Sequence, residues 1–554
     1  MDTERSSPGW VRISLWGLIA IVCALQAYEI RNRGIDPDEL EHLHAAYCIW
    51  RGEVPYRDLF EHHGPALYYA MLPAFKICGP HLSALWLGRL AMWLCSLAAL
   101  ILTGRLARRS SGDQAGILAM ALLAWTTIFH AKGIELRPDV PAALLLILGV
   151  SQFTFATGGG SWRRFLCVGL LAGLATLFTQ KSIIPAAGIA LAACLARLVT
   201  REPQSESAGT VLARVIIPFA AGVAAVWGTA SLAFATAGAA GDFWYSTWYQ
   251  LWIWPVRSSR WEYLRPTLAG DFTVWVAGLI EIVSFLKTCR ASETWKDQRG
   301  VLAVVSAVCI LSLTFVKATY AQYYLLWMPF LAVLAARRLV QWCERAIARR
   351  TDVAVITAGL FLAVMQSVLW QRAYWAGFSG GLPRLGEMGA TNAPVLLTFA
   401  AVLVGIVALA RRGRVDTAIL LAAALGMGYG ILRDIDMALW SNRHQVVAIE
   451  AINRRVPPDG RVLDGFTGYG ALRPHEWYYW WINEYSLALI PPDVREKGLL
   501  NVLEATPPAA VLFDQNLNLL PPRVSDWIKA HYTPTDLAVL WVPREPDSPG
   551  GHRE

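Results

Sequence analysis

The stretch FLCVGLLAGLATLFTQKSIIPAAGIALAACLARLV, residues 165–199, decides the fold. From Phe165 to Val199 it is almost continuously apolar. As one helix it would be about 52 Å long, far beyond a hydrocarbon core of ~30 Å. The interruption is Thr179-Gln180-Lys181-Ser182, with Pro185 just beyond it. The stretch therefore reads as two membrane spans joined by a tight hairpin at one membrane face. Lys317-Ala318-Thr319-Tyr320 divides the run from Val301 to Leu334 in the same way.

Working outward, a first run covers Ile13 to Ile30 after Arg5 and Arg12, and lacks a small-x-small cleavage site. It reads as a retained span and not a removed signal peptide. Further runs lie at 83–104, 115–131, 138–156, 165–180, 182–199, 212–236, 272–288, 300–316, 321–338, 352–370, 394–410 and 415–432. The expected architecture is mainly α: a polytopic transmembrane bundle of about 13 spans. The composition agrees, with 55% hydrophobic and only 16% charged residues among 554, too little charge to coat several soluble domains.

The net charge of +8 reads as topology, not as nucleic-acid binding. Arg105/Arg108/Arg109, Arg163/Arg164, Arg197/Arg201/Arg214, Lys287/Arg290/Lys296/Arg299, Arg337/Arg338/Arg345/Arg349/Arg350 and Arg411/Arg412/Arg414 fall on one side if the N-terminus is there too. That side is expected to be the cytoplasm. The outer side then receives the first loop, 31–82, the 131–138, Lys181 and Lys317 turns, 237–270, 371–393 and everything after about 433. Beyond Arg433, helix-like stretches (443–454, 493–504, 521–531) alternate with short apolar strands at 461–464, 509–514 and 537–542. Two domains are expected: a transmembrane catalytic domain over 1–432 and a small extracytoplasmic α/β domain over 433–554.

The first outer loop concentrates polar chemistry: Asp36, Asp38, Glu39, Glu41, His42 and His44, then Asp58, Glu61, His62 and His63. Part of it has helical spacing and is expected to lie as a helix on the membrane surface. Three readings compete: a carboxylate that deprotonates an attacking hydroxyl, a divalent-metal site built from Glu and His, or a hydrated loop with helix caps. The nine cysteines form no C-x-x-C pair; Cys48 and Cys78 are the only expected disulfide partners. At the second outer turn, Arg137 and Asp139 sit at the membrane face, where ionisable groups tend to be functional; Pro138 and Asp139 also suit a helix start. Arg137, Lys181 and Lys317 are cations at three outer turns that can converge on one phosphate; snorkelling ends are the alternative for the lysines. Residues 242–266 hold Trp244, Trp248, Trp252, Trp254 and Trp261 with Tyr245, Tyr249 and Tyr263, by default an interfacial belt, with a sugar-stacking platform or lipid groove as the sharper reading. Glu281 is mid-span in the 272–288 run; a paired structural acid is one option, and no role is assigned to it.

Asp38-Glu39 after the first span, followed by Glu61-His62-His63-Gly64-Pro65-Ala66-Leu67-Tyr68-Tyr69, resembles the signature of integral-membrane GT-C glycosyltransferases. The nearest branch holds protein O-mannosyltransferases, the lipid A aminoarabinose transferase and galacturonosyltransferases of the lipopolysaccharide core. Arg137-Pro138-Asp139 resembles its second outer motif. Tyr320-Ala321-Gln322-Tyr323-Tyr324, running on to Pro329, resembles its late tyrosine-proline stretch. The resemblance implies transfer of a sugar from a polyprenyl-phosphate carrier to a glycan, lipid or protein acceptor, on the outer face of the bacterial cytoplasmic membrane. It places Asp38 where the family has its principal catalytic acid, with Glu39 following it and Glu61 on the acid of the next motif; Asp139 joins the catalytic candidates. His62, His63, Tyr68, Arg137, Lys181, Lys317 and Tyr323 are the substrate-binding candidates. His62 stands where the aminoarabinose branch has a phosphate-binding lysine, so His63, Arg137 or Lys181 takes that contact here. No cofactor is required on this reading, and a divalent metal remains open. The rival reading, a transporter or flippase of a lipid-linked sugar, predicts intramembrane charges along a path to both faces. A non-catalytic assembly partner leaves the acidic cluster without a purpose.

Overall fold

The computed structural model describes residues 9–153, 162–200, 207–255, 260–291, 295, 298–317, 320–349, 404–421 and 438–544. The runs expected at 352–370, most of 394–410 and most of 415–432, with the loop 371–393, lie outside the described residues. The chain is mainly helical. Among the described residues, nine helices open it: α1 Gly9–Asn32, α2 Pro37–Trp50, α3 Ala66–Cys78, α4 Ser83–Ala124, α5 Thr127–Lys132, α6 Asp139–Ser151, α7 Trp162–Phe178, α8 Ile183–Thr200 and α9 Ala208–Thr236. Helices Phe272–Thr288, Arg299–Ser312 and Met328–Arg349 follow. Among the described residues, four elements are long and apolar enough to cross a membrane: Gly9–Asn32, Ser83–Ala124, Gln180–Thr200 and Ala208–Thr236.

Straight, the 42 residues of α4 would reach about 63 Å. They do not run straight. Ser111 leaves helical geometry (φ −154°, ψ 17°), and Gly112 has φ 82°, a value a side chain resists. The chain reverses there, and a Cβ on Gly116 would lie 3.0 Å from the Gly104 carbonyl oxygen. The runs 83–104 and 115–131 are thus two arms of one hairpin, the second arm ending at Ala124. The decisive stretch breaks as expected: α7 ends at Phe178, a 3-10 turn takes Gln180–Ser182, and α8 starts at Ile183. The two arms then part. α7 packs along α6 and α9, while α8 packs along Arg299–Ser312.

Beyond residue 440 the chain forms a four-stranded sheet: β1 Val462–Asp464, β2 Ala510–Leu512, β3 Tyr532–Pro534 and β4 Leu540–Pro543, in the order β1-β2-β4-β3. β1 and β2 are parallel; the other two pairings are antiparallel. Strand alternation sends Val462, Ala510 and Leu512 to one face, against Ile452 and Val456, and sends Leu463 and Val511 to the other, against Leu503, Val524 and Ile528.

This unit sits on the first loop. Gly34 N–H donates to Trp440 O (2.8 Å), Ile35 N–H to Gln445 Oε1 (2.7 Å), Phe60 N–H to Tyr478 O (2.9 Å), and the Tyr478 hydroxyl to Tyr56 O (2.7 Å). α2 was expected on the membrane surface. It is instead enclosed between the bundle end and the C-terminal unit, with every residue from Glu39 to Cys48 buried. The Cys48–Cys78 pairing is also corrected: both cysteines are free thiols.

Candidate active site

The site begins with a helix start. Asp36 caps α2, accepting from Asp38 N–H (3.0 Å), while Glu39 returns a carboxylate oxygen to Asp36 N–H (3.1 Å), a reciprocal capping box with Pro37 in the first turn. The cap aims Asp38 outward and Glu39 inward. Glu39 is fully buried against Arg89, at 2.8 and 2.5 Å, and also accepts from Leu136 N–H at 2.8 Å. Arg89 in turn donates to the carbonyls of Glu29, Ile30, Arg33 and Gly34, closing the C-terminal end of α1. The structure gives Glu39 a fixing position and leaves it no face toward the open side.

Asp38 keeps a third of its side chain exposed, and its Oδ2 lies 2.8 Å from Arg137 Nη1. Arg137 also reaches Asp36 with Nη2 (2.9 Å) and Glu135 with Nε (2.6 Å). Lys132 bridges Asp36 (3.0 Å) and Glu135 (2.8 Å). Burial pushes the Asp36 carboxyl up, but Lys132 and Arg137 outweigh it and hold it well below the usual carboxylate range.

Glu61 is completely buried. Its Oε1 accepts from His62 N–H (2.7 Å), His63 N–H (3.0 Å) and His63 Nδ1 (2.9 Å). Its Oε2 and His62 Nδ1 have no hydrogen-bond partner. Glu41 comes from α2 to within 3.9 Å of His62 Nδ1 and 4.0 Å of His63 Nδ1. Glu41, Glu61, His62 and His63 thus bring four ligand-capable atoms within 4.8 Å of one another. Burial, helped by the charges on Glu61 and Asp38, pushes the Glu41 carboxyl well up. Burial and the neighbouring cation Lys181 hold His63 well below its usual value, and burial and His63 do the same to His62, so both rings favour the neutral, ligating form. Gly64 lets this loop lie on the last turn of α7: a Cβ there would strike the Leu177 carbonyl. Tyr68, buried on α3, faces Glu61.

Lys181, from the 3-10 turn, places its ammonium 4.0 Å from the Tyr323 ring centroid, within electrostatic reach of Asp139, Asp38 and Glu41. Asp139, in the first turn of α6, is buried with Oδ1 unpartnered. Trp254 stacks on His62 at 4.4 Å (21°). Lys317 is the exception among the expected residues. It donates to Trp252 O (2.7 Å) on an exposed surface, and does not join the cluster. The aromatic segment divides likewise: Trp254 enters the site, while Trp244, Tyr245, Tyr249, Trp252 and Trp261 are exposed. Sequence reading missed Arg89, Glu29 and His130, whose Nε2 lies 2.9 Å from Glu29 Oε1. The signal was available for Arg89, an ionisable residue in an apolar run.

Next to the cluster, starting at Pro65 and Ala66, an apolar cavity of about 550 Å³ runs between α3, α7 and α9, lined by Tyr69, Leu177, Val226 and Phe234 among others.

Residues 62–227 match the family described as dolichyl-phosphate-mannose-protein mannosyltransferase. The matched region includes His62, Arg137, Asp139 and Lys181 and stops short of Asp38. A comparison with curated proteins gives no match. Among solved structures, ArnT from Cupriavidus metallidurans in the apo state aligns at TM-score 0.63 and 14% identity, covering 96% of this chain and 97% of that one. The same protein bound to undecaprenyl phosphate aligns at 0.60 and 14%, covering 97% and 98%. The chain therefore has a GT-C-like helical membrane fold, as the resemblance implied.

Proposed function

We propose that this protein transfers a sugar from a polyprenyl-phosphate carrier to a glycan, lipid or protein acceptor. The observation that carries the reading is the convergence of Asp38, Glu61, Asp139, Arg137, Lys181 and Tyr323 from five separate chain segments at one end of the bundle. ArnT, which shares the fold, binds undecaprenyl phosphate, and the apolar cavity beside Pro65 offers a track for such a prenyl chain.

Asp38 is the general base on this reading. It is exposed enough to meet an acceptor hydroxyl, whereas Glu39 and Glu61 are sealed. Asp38 takes the hydroxyl proton as the acceptor oxygen bonds to the anomeric carbon. The carbon–oxygen bond to the carrier phosphate breaks with its electron pair, and attack from the opposite side inverts the centre. The leaving phosphate carries its own negative charge, so it needs cations more than a general acid. Lys181 supplies that contact. Arg137 already spans three carboxylates and serves chiefly to orient Asp38. Glu41, Glu61, His62 and His63 fit a divalent cation, since Glu61 Oε2 and His62 Nδ1 are buried without hydrogen-bond partners. Such an ion would add positive charge near the departing phosphate.

The bundle is proposed to hold about 13 spans in a bacterial cytoplasmic membrane, N-terminus inside, with the C-terminal α/β unit and the site on the outer face. The six basic loops support this orientation. A flippase needs a charged path through the bundle. Among the described residues, the buried ionisable groups of the bundle instead gather at its two ends. The test is release of prenyl phosphate by purified protein from a pool of labelled prenyl-phosphate sugars, with candidate acceptors added. Acceptor-dependent release supports the reading. Movement of intact carrier across vesicles without release overturns it.

A further inference from the structure

A second constellation lies further along α2, where the C-terminal unit seats. His44 and Cys48, one helical turn apart, face His475 of the segment after β1. His44 Nε2 is 3.2 Å from His475 Nδ1; Cys48 Sγ is 3.3 Å from His44 Nε2 and 3.6 Å from His475 Nδ1. The remaining ring nitrogens are committed elsewhere. His44 Nδ1 lies 3.0 Å from the Ala471 carbonyl and His475 Nε2 lies 3.4 Å from the Asp58 carbonyl. A carbonyl only accepts, so each of those nitrogens carries the proton. The two facing nitrogens are then both lone pairs, pointed at each other across a largely buried gap with a single thiol proton to share.

We propose that His44, Cys48 and His475 form a structural metal site for a zinc-class divalent cation. The triangle has the right size. With metal–nitrogen bonds of about 2.0–2.1 Å and metal–sulfur of about 2.3 Å, a tetrahedral ion separates two nitrogens by about 3.3 Å and nitrogen from sulfur by about 3.6 Å. The outer bonds to Ala471 and Asp58 are the second shell that normally fixes imidazole tautomers on a metal. Glu53, whose carboxylate meets the Cys48 thiol, is an acid at hand for the fourth position. Arg51 and Arg461 also act on His475, and Asp58 opposes them. On binding, Cys48 gives its proton to solvent and both histidines enter neutral. The ion would pin the C-terminal unit to the helix whose first turn carries Asp38. This site is separate from the Glu41/Glu61/His62/His63 group and independent of the proposed transfer.

Cobalt substitution of the full-length protein in detergent tests it, because a thiolate ligand gives a near-ultraviolet charge-transfer band that a carboxylate–histidine site lacks. The wild type loaded with cobalt should show the band. Cys48→Ala should abolish it. Cys48→His should keep the metal and lose the band. His475→Gln should weaken binding by more than the roughly 10–100-fold that loss of an outer partner costs. A wild-type protein without the band, or a Cys48→Ala protein that retains it, overturns the proposal. The wild-type spectrum decides even where a variant fails to fold.

Discussion

At the end of the bundle opposite the first loop, Glu281 is buried among three arginines: Arg299 at 2.7 Å, Arg337 at 3.3 Å and Arg338 at 2.5 Å. Arg337 also donates to Ser110 O (2.8 Å) and Ser111 Oγ (3.0 Å), holding the turn of the α4 hairpin. That cluster is one acid enclosed by cations, and it ties three helices and a turn together. The loop-end cluster has the reverse build. Acids outnumber cations there, and Asp38 keeps an exposed flank. Both are buried charge networks, and burial alone does not distinguish them. What distinguishes them is the match of charge: each Glu281 oxygen lies within 2.7 Å of an arginine, whereas the loop end has acids in excess and Asp38 open to solvent.

Four experiments break or sharpen that contrast. Asp38→Asn keeps the shape and removes the base; turnover should fall about 10²–10⁴-fold with the melting temperature nearly unchanged. Near-normal turnover from the folded variant moves the base elsewhere. Glu281→Ala should do the opposite, costing about 3–5 kcal/mol by removing the carboxylate that three arginines share, while turnover per folded molecule stays at the wild-type level. Denaturation and rate measured on one preparation separate the two outcomes. Lys181→Ala should weaken use of the prenyl-phosphate donor roughly tenfold. Unchanged apparent affinity would show that the phosphate is met by another group.

The fourth concerns Asp36. Its folded pKa is depressed, so its ion pairs stabilise the protein above the ordinary value of 3.8, and that stability is lost as pH falls through the depressed value. Asp36→Asn should therefore cost about 1–2 kcal/mol near pH 7, discounted because 27% of the side chain meets solvent, and the gap should close below about pH 4. A gap that widens in acid would contradict the assignment.

The breaks in the apolar runs were legible because they are local: Thr179 to Ser182 and Lys317 carry polar side chains where the run must turn. The hairpin at Ser111–Gly112 was legible as two runs. Asp38, Glu61, Arg137, Asp139, Lys181 and Tyr323 were legible as chemistry at turns expected on one face, and the fold brings them together. Lys317 had the same signature, but its 3-10 neighbour Ala321–Leu326 presents Tyr323 to the cluster while Lys317 turns to Trp252. Three facts had no local signal. Glu39 is paired with Arg89, 50 residues away. Asp36 pairs with Lys132 and Arg137, 96 and 101 residues away. His475 meets α2 across more than 400 residues. Side-chain partners at that separation are set by tertiary docking, which hydropathy and turn chemistry do not encode.

The bond from Trp480 Nε1 to Phe60 O (3.2 Å) spans 420 residues and holds the loop just before Glu61. During synthesis at about 5–20 residues per second, the ribosome takes roughly 20–80 s to travel from one partner to the other. For all of that interval the acid-bearing loop exists without its clamp. A truncated product ending before the sheet would keep the spans and most of the charged side chains, yet lack the last brace on the loop. The loop before Glu61 therefore gains this bond only after the segment carrying Trp480 has been made.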